Sequence, residues 1–127
     1  TLALSIAQRM VQKFIPGKGE KVTIDGAVGG LLQKQFEDLP EEFRPKYTAT
    51  DVLYEIPKTG SDSVLHGRIG VFEMFEVDRQ LQDIILKKPD ENSIYDYVRN
   101  KGMRTMREDA IMKSMKGIIP WSEVNTL

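Results

Sequence analysis

The chain has 127 residues, enough for one domain to bury a core without staples, so neither a disulfide nor a metal is required for folding. It contains no cysteine, which excludes a disulfide framework, a thiolate metal site and a cysteine nucleophile, and fits a cytoplasmic protein. Lysine and arginine number 18 against 19 acids, split 9 to 11 up to Glu76 and 9 to 8 beyond it, so neither half is a basic arm and nucleic acid is not an expected partner.

Residues 1–76 mix short apolar runs with glycine and proline, whereas 77–127 repeat short helical patterns. Ile6, Ala7, Met10, Val11 and Phe14 recur at three- and four-residue spacing, which predicts a helix; alternation of Ile6, Met10 and Phe14 fits one side of a strand equally well. Pro16-Gly17-Lys18-Gly19 forces a turn, and Val22 with Ile24 predicts a short strand closed by a turn at Asp25-Gly26. Leu31, Leu32 and Phe36 mark a short helix ending near Pro40, and Val52-Leu53-Tyr54 a strand stopping at Pro57. A turn is expected at Gly60–Ser63. Val64 to Phe75 is the strongest strand pattern, with Leu65, Ile69, Val71 and Phe75 on one face and Phe72 and Met74 on the other, which predicts a central strand covered on both sides.

Three or four helices follow. Asp78 is placed to cap a helix burying Leu81, Ile84 and Ile85 and ending before Pro89. Ser93 is placed to cap a second, carrying Ile94, Tyr97 and Val98, with Gly102 as its left-handed exit. Thr105 and Glu108 form a capping-box pattern ahead of Ala110, Ile111 and Met115, and Pro120 suits the first position of a last short helix bearing Trp121 and Val124.

Chemistry-bearing patterns are few. Gly17-Lys18-Gly19-Glu20 lacks the earlier glycine and the hydroxyl of a phosphate loop, Gly26-Ala-Val-Gly29-Gly30 lacks the lysine, and both read as turns. His66 is the single histidine and has no partner for triad or metal chemistry, so it reads as a surface residue. Glu41-Glu42 reads as polar loop, Glu108-Asp109 as charge favouring a helix start, and Met103, Met106, Met112 and Met115 as core filler. No catalytic, cofactor or metal site is expected. No apolar run approaches the roughly 20 residues of a membrane span, so the chain reads as soluble, and its opening Thr1-Leu2-Ala3-Leu4 reads as the start of a fragment.

Three stretches occur together in a recognisable order: Ile6-Ala-Gln-Arg9-Met-Val11, Gly67-Arg68-Ile-Gly70-Val-Phe-Glu73, and Gly102-Met-Arg-Thr-Met-Arg107-Glu-Asp109 followed by Gly117-Ile118 and Glu123-Val124. The set resembles the carboxy-terminal region of the type II secretion and type IV pilus assembly ATPases, downstream of the phosphate loop, acidic boxes and histidine box. Pilus retraction motors are similar to this chain too, through the Gly67–Glu73 strand and the Gly102–Met106 signature.

The resemblance implies an α+β fold. A strand over Ile6–Phe14 would pair antiparallel with Gly67–Phe75 in a small sheet, 1–76 would hold an inserted subdomain at about 16–63, and 77–127 would form the helical cluster. It implies a fragment of a hexameric motor, cytoplasmic and peripheral to the inner membrane, whose partners are neighbouring protomers and an inner-membrane platform protein, and whose ATP and magnesium are bound upstream. A free-standing adaptor docking on such a motor is the alternative. The family's two zinc-binding cysteine pairs would fall at Ile15 and Lys18 and at about Pro57 and Gly60, so no zinc is expected. Gln8, Arg9, Arg68, Glu73 and Arg107 lie inside the three stretches and are the candidate signature or subunit-interface residues. Arginine forks suit carboxylates, phosphates and subunit boundaries; for Arg9, Arg68 and Arg107 the ordinary role is an intrachain ion pair, with Glu73 the expected partner of Arg68.

Overall fold

The ambiguous apolar run is resolved by pairing. In a computed structural model, which describes residues 3–48, 50–58 and 63–127, Ala3–Phe14 forms β1 and Leu65–Val77 forms β4, and the two run antiparallel from Ala3 opposite Val77 to Phe14 opposite Leu65. A helix over 6–14 would satisfy its own backbone but leave β4 without a strand neighbour. The register shifts between Gln12 and Phe14, where β4 carries one more residue than β1 and Gly67 takes φ +78°. The alternation breaks there too: Val11 and Phe14 are buried, while Ile6 and Met10, expected on the side of Phe14, face outward.

Between these strands the chain makes β2 (Glu20–Thr23), α1 (Gly26–Gln35), a single 3-10 turn at Glu41–Phe43, and β3 (Val52–Glu55) antiparallel to β2. The glycine-rich stretch from Gly26, expected as a turn, instead opens α1. Glycine costs a helix about 1 kcal/mol per residue relative to alanine. Leu32 and Phe36, one helical turn apart and both buried, outweigh that cost by packing in the core. Gly60 and its neighbours through Asp62 lie outside the described residues, so the turn expected there and the fourth zinc position do too.

Beyond β4 come α2 (Arg79–Lys87), α3 (Glu91–Asn100), α4 (Met106–Met115) and the one-turn α5 (Trp121–Val124). Asp78 caps α2 as expected, accepting from the Leu81 N–H at 2.8 Å, but of the three apolar residues assigned to its buried face Leu81 is enclosed, Ile84 half-buried and Ile85 exposed. The cap of α3 is Asp90, three residues before Ser93. Its carboxylate accepts from the Ser93 N–H and hydroxyl at 2.6 and 3.1 Å, and holds its own pKa below the usual value through those bonds. Gly102 leaves α3 at φ +98°, with the Phe43 ring where a Cβ would stand. Thr105 and Glu108 form the expected capping box, and Pro120 is the N-cap of α5, one position earlier than expected.

The main core joins Val11, Phe36, Leu39, Leu53 and Val71 to Ala110, Ile111, Ile119 and Val124, so residues on both sides of Glu76 build it. A smaller cluster of Leu81, Val98 and Met103 lies beneath α2 and α3. Met106 and Met115 pack against the main core, as filler methionines should. The expected doubly covered, central β4 is corrected on both counts. It has a strand neighbour on one side only, and Met74 on its outer face is exposed.

Candidate functional site: two interlocked signature segments

The edge of β4 away from β1 is occupied by the first turn of α4. The Phe72 N–H donates to Asp109 Oδ2 at 2.9 Å, and the Met106 N–H donates to Glu73 Oε1 at 3.2 Å. One bond thus satisfies a strand edge with a helix carboxylate, and the other satisfies a helix-start N–H with a strand carboxylate. Lys113, one turn further along α4, donates to Asp109 at 2.7 Å and fixes that carboxylate in place. The Gly67–Glu73 and Gly102–Asp109 stretches therefore form one structural unit.

Beneath it lies a charged cluster. Arg99 is 2% exposed and Glu108 fully buried; their side chains meet at 2.5 and 2.6 Å, and Arg99 also donates to the Met103 carbonyl at 2.8 Å and to Asp38 at 2.9 and 3.0 Å. Gln35 donates to Glu108 at 2.9 Å, and Tyr95 donates to Asp38 at 2.8 Å. Burial opposes ionisation of both Arg99 and Asp38, and in each case the hydrogen bonds prevail: the Arg99 pKa rises, while Tyr95 and Arg99 together hold Asp38 below the usual carboxylate value. Partial burial, followed by the bond to Asp38, pushes Tyr95 up to about 12. Glu108 thus does far more than start a helix. It is the buried counter-ion that ties α3, α4 and the end of α1 together.

Of the residues singled out by sequence, Gln8, Arg9 and Glu73 lie in the paired stretch of β1 and β4, with Gln8 and Arg9 on opposite faces of β1, while Arg68 lies nearer the start of β4 and Arg107 on α4. Gln8 stands opposite Phe72, beside Gly70, where an added Cβ would lie 2.7 Å from the Gln8 amide nitrogen and 2.9 Å from the Phe72 ring. Arg9 stands opposite Val71 and donates to the Thr126 carbonyl at 3.1 Å, while Glu73 stands opposite Ala7. The expected Arg68–Glu73 pair is absent because residues an odd number apart on a strand point to opposite faces. The ion pairs of the described residues are Arg99–Asp38, Arg99–Glu108 and Lys113–Asp109, and Arg9, Arg68 and Arg107 take part in none of these. Arg107 lies on the far side of α4, facing a groove beside α1, and His66 is exposed on β4.

Arg99 went unread because it looks like any charged residue near a helix end. The capping box named Glu108, but that motif describes a backbone interaction and does not report what lies behind it. At the family's zinc positions, Ile15, Lys18 and Pro57 offer neither sulfur nor imidazole, and no group of three histidine, aspartate or glutamate side chains converges among the described residues. The donor set does not fit zinc. No helix among the described residues is long and apolar enough to cross a membrane.

A family model of type II/IV secretion system proteins matches residues 1–126, and the chain belongs to that family. It is similar to the type IV pilus assembly ATPase PilB of Thermus thermophilus, 34% identical over 58 residues; the match takes in 46% of this chain and 6% of that relative's length.

Proposed function

We propose that this chain is the carboxy-terminal portion of a hexameric ATPase that powers type II secretion or works a type IV pilus, with a structural, subunit-bridging and force-transmitting role and no nucleotide hydrolysis of its own. The observation that carries this reading is an unfinished sheet. Two strands rarely stand alone in water. Here β1 has no strand neighbour on its outer edge among the described residues, only Phe14 at its end being tied there, to the Ile118 carbonyl, and Leu4 and Ile6 on its outer face are 55% and 56% exposed beside Met10 and Met74. A strand edge without a partner, beside an exposed apolar face, is an association surface that folded proteins keep covered. The nucleotide-binding part of the motor is the natural cover, and ATP and magnesium belong to it.

Gln8, Arg9, Arg68, Glu73 and Arg107 are the residues through which the portion would meet neighbouring subunits, with an inner-membrane platform protein as the further partner and the cytoplasmic face of that membrane as its place of work. Neither zinc nor nucleic acid enters this reading. Calorimetric titration of the isolated chain with magnesium-ATP tests it. No heat of binding is expected, and a Kd of about 1 μM, worth roughly 8 kcal/mol, would overturn it.

A further inference from the structure

The sheet of β1 and β4 has one edge taken and one open. On β4 the Phe72 N–H points away from β1 and donates to Asp109, so α4 closes that side. Phe72 stands opposite Gln8, and in an antiparallel pair two opposed residues that do not bond each other both face away, so the backbone groups of Gln8 face the open side. The Phe14 N–H agrees with that alternation, because it too points out of the pair, to the Ile118 carbonyl. The even-numbered residues from Leu4 to Gln12 thus present donors and acceptors that no strand of the described residues meets. Their side chains share the outer face, where Leu4, Ile6 and Met10 of β1 and Met74 of β4 are each about half exposed.

We propose that the chain by itself covers this edge with the same edge of a second copy, paired antiparallel about a two-fold axis at Ala7. That register sets Leu4 opposite Met10 of the other copy and Ile6 opposite Gln8, so the apolar face continues across the joint. On the other face Ala7 meets Ala7, and Arg9 meets Ser5. An axis at Arg9 would instead set two guanidinium groups directly opposite, and an axis at Gln8 would make them diagonal neighbours. Arg9 reaches the Thr126 carbonyl, which brings the carboxy-terminal segment beside this half of the strand, and Ala3 and Ser5 of the second copy are small enough to pass it. Because α4 closes the far edge of each β4, the four-stranded sheet has no strand edge left to extend, and association stops at two copies. One strand pair is a smaller joint than a tight dimer has, so a Kd of about 50 μM is expected. Where the nucleotide-binding part of a motor holds the edge, it takes the place of the second copy; the proposal shares that surface with the motor reading and does not depend on it.

Sedimentation equilibrium of the chain from about 5 to about 500 μM tests it, with a monomer–dimer equilibrium as the expected result. Ile6→Lys, a change at an exposed position outside the core, should raise the Kd about tenfold by removing apolar contact and setting two ammonium groups near each other. Since the chain has no cysteine, single cysteines report the register. Ala7→Cys should give a disulfide-linked dimer under mild oxidation, because the Cα atoms of a pair that does not exchange hydrogen bonds stand about 4.5 Å apart, within disulfide reach. Ser5→Cys, which would face Arg9 and not its own copy, should give none. A monomer at every concentration would overturn the proposal and leave the edge to a different protein or to the nucleotide-binding part. Dimerisation unchanged by Ile6→Lys, or equal cross-linking of the two cysteine variants, would overturn it as well. None of these results bears on magnesium-ATP binding, so this proposal and the motor reading fail separately.

Discussion

Replacing Glu108 by glutamine preserves side-chain volume and a helix-capping amide oxygen while removing one charge from the buried cluster. Arg99 currently gives Glu108 two charge-assisted bonds, at 2.5 and 2.6 Å, where almost no water reaches either residue. Glutamine has a single acceptor oxygen, so its NH₂ must face either Arg99 Nη1 and the Thr105 N–H or Arg99 Nη2 and the Gln35 amide, donor against donor. Charge-assisted bonds contribute about 1.5–3 kcal/mol each and neutral ones about 1. Loss of one and weakening of the other gives about 3 kcal/mol, the lower end of what breaking a buried ion pair costs. For a domain of this size the melting temperature should fall by about 10 °C. Urea and thermal unfolding followed by circular dichroism would measure it. The cost is assigned to a stranded charge, so the paired replacement Arg99→Met with Glu108→Leu should recover most of the loss. A single-variant cost below about 1 kcal/mol, or a double variant no better than the single, refutes the reasoning.

Two further outcomes follow from the same contacts. Asp109→Ala leaves the Phe72 N–H without its acceptor and should cost about 1–3 kcal/mol, with faster hydrogen exchange at the Phe72 amide and little change at Val71. The Tyr95 hydroxyl has its folded pKa raised from 10.0 to about 12, so the stabilisation it gives is complete below pH 10 and is lost as pH rises through about 12; Asp38, lowered instead, gives stability that disappears as pH falls below 3.8. Tyr95→Phe should therefore flatten part of the alkaline fall in urea midpoint between pH 10 and 12, and an unchanged alkaline slope would show that the bond to Asp38 contributes nothing.

Local chemistry made some elements readable from sequence. The Thr105–Glu108 box, the Asp78 cap and the left-handed Gly102 each depend on residues within a few positions, and each stands where the pattern put it. The antiparallel pairing of β1 with β4 was legible only through the resemblance. Apolar residues at 6, 10, 11 and 14 satisfy a helix and a strand alike, and the decision rests on a partner more than fifty residues away. The opening of α1 at Gly26 escaped for the opposite reason, since tertiary burial of Leu32 and Phe36 overrides a poor intrinsic propensity. At the candidate site, Glu73 was named with the wrong partner, and Arg99 was not named at all. A buried arginine is marked by what surrounds it in space, and Gln35 and Asp38 at the end of α1 and Glu108 on α4 converge on it from two separate segments.

The seating of α4 on β4 bears on how the chain responds to load. The two signature bonds run in opposite senses, strand to helix at Phe72 and helix to strand at Met106, on neighbouring residues of β4. Sliding the strand along its axis would snap both at once, whereas hauling the helix along with it breaks neither. A shift of β4 relative to α4 therefore costs both bonds together, and any movement that keeps them carries the two stretches as one piece.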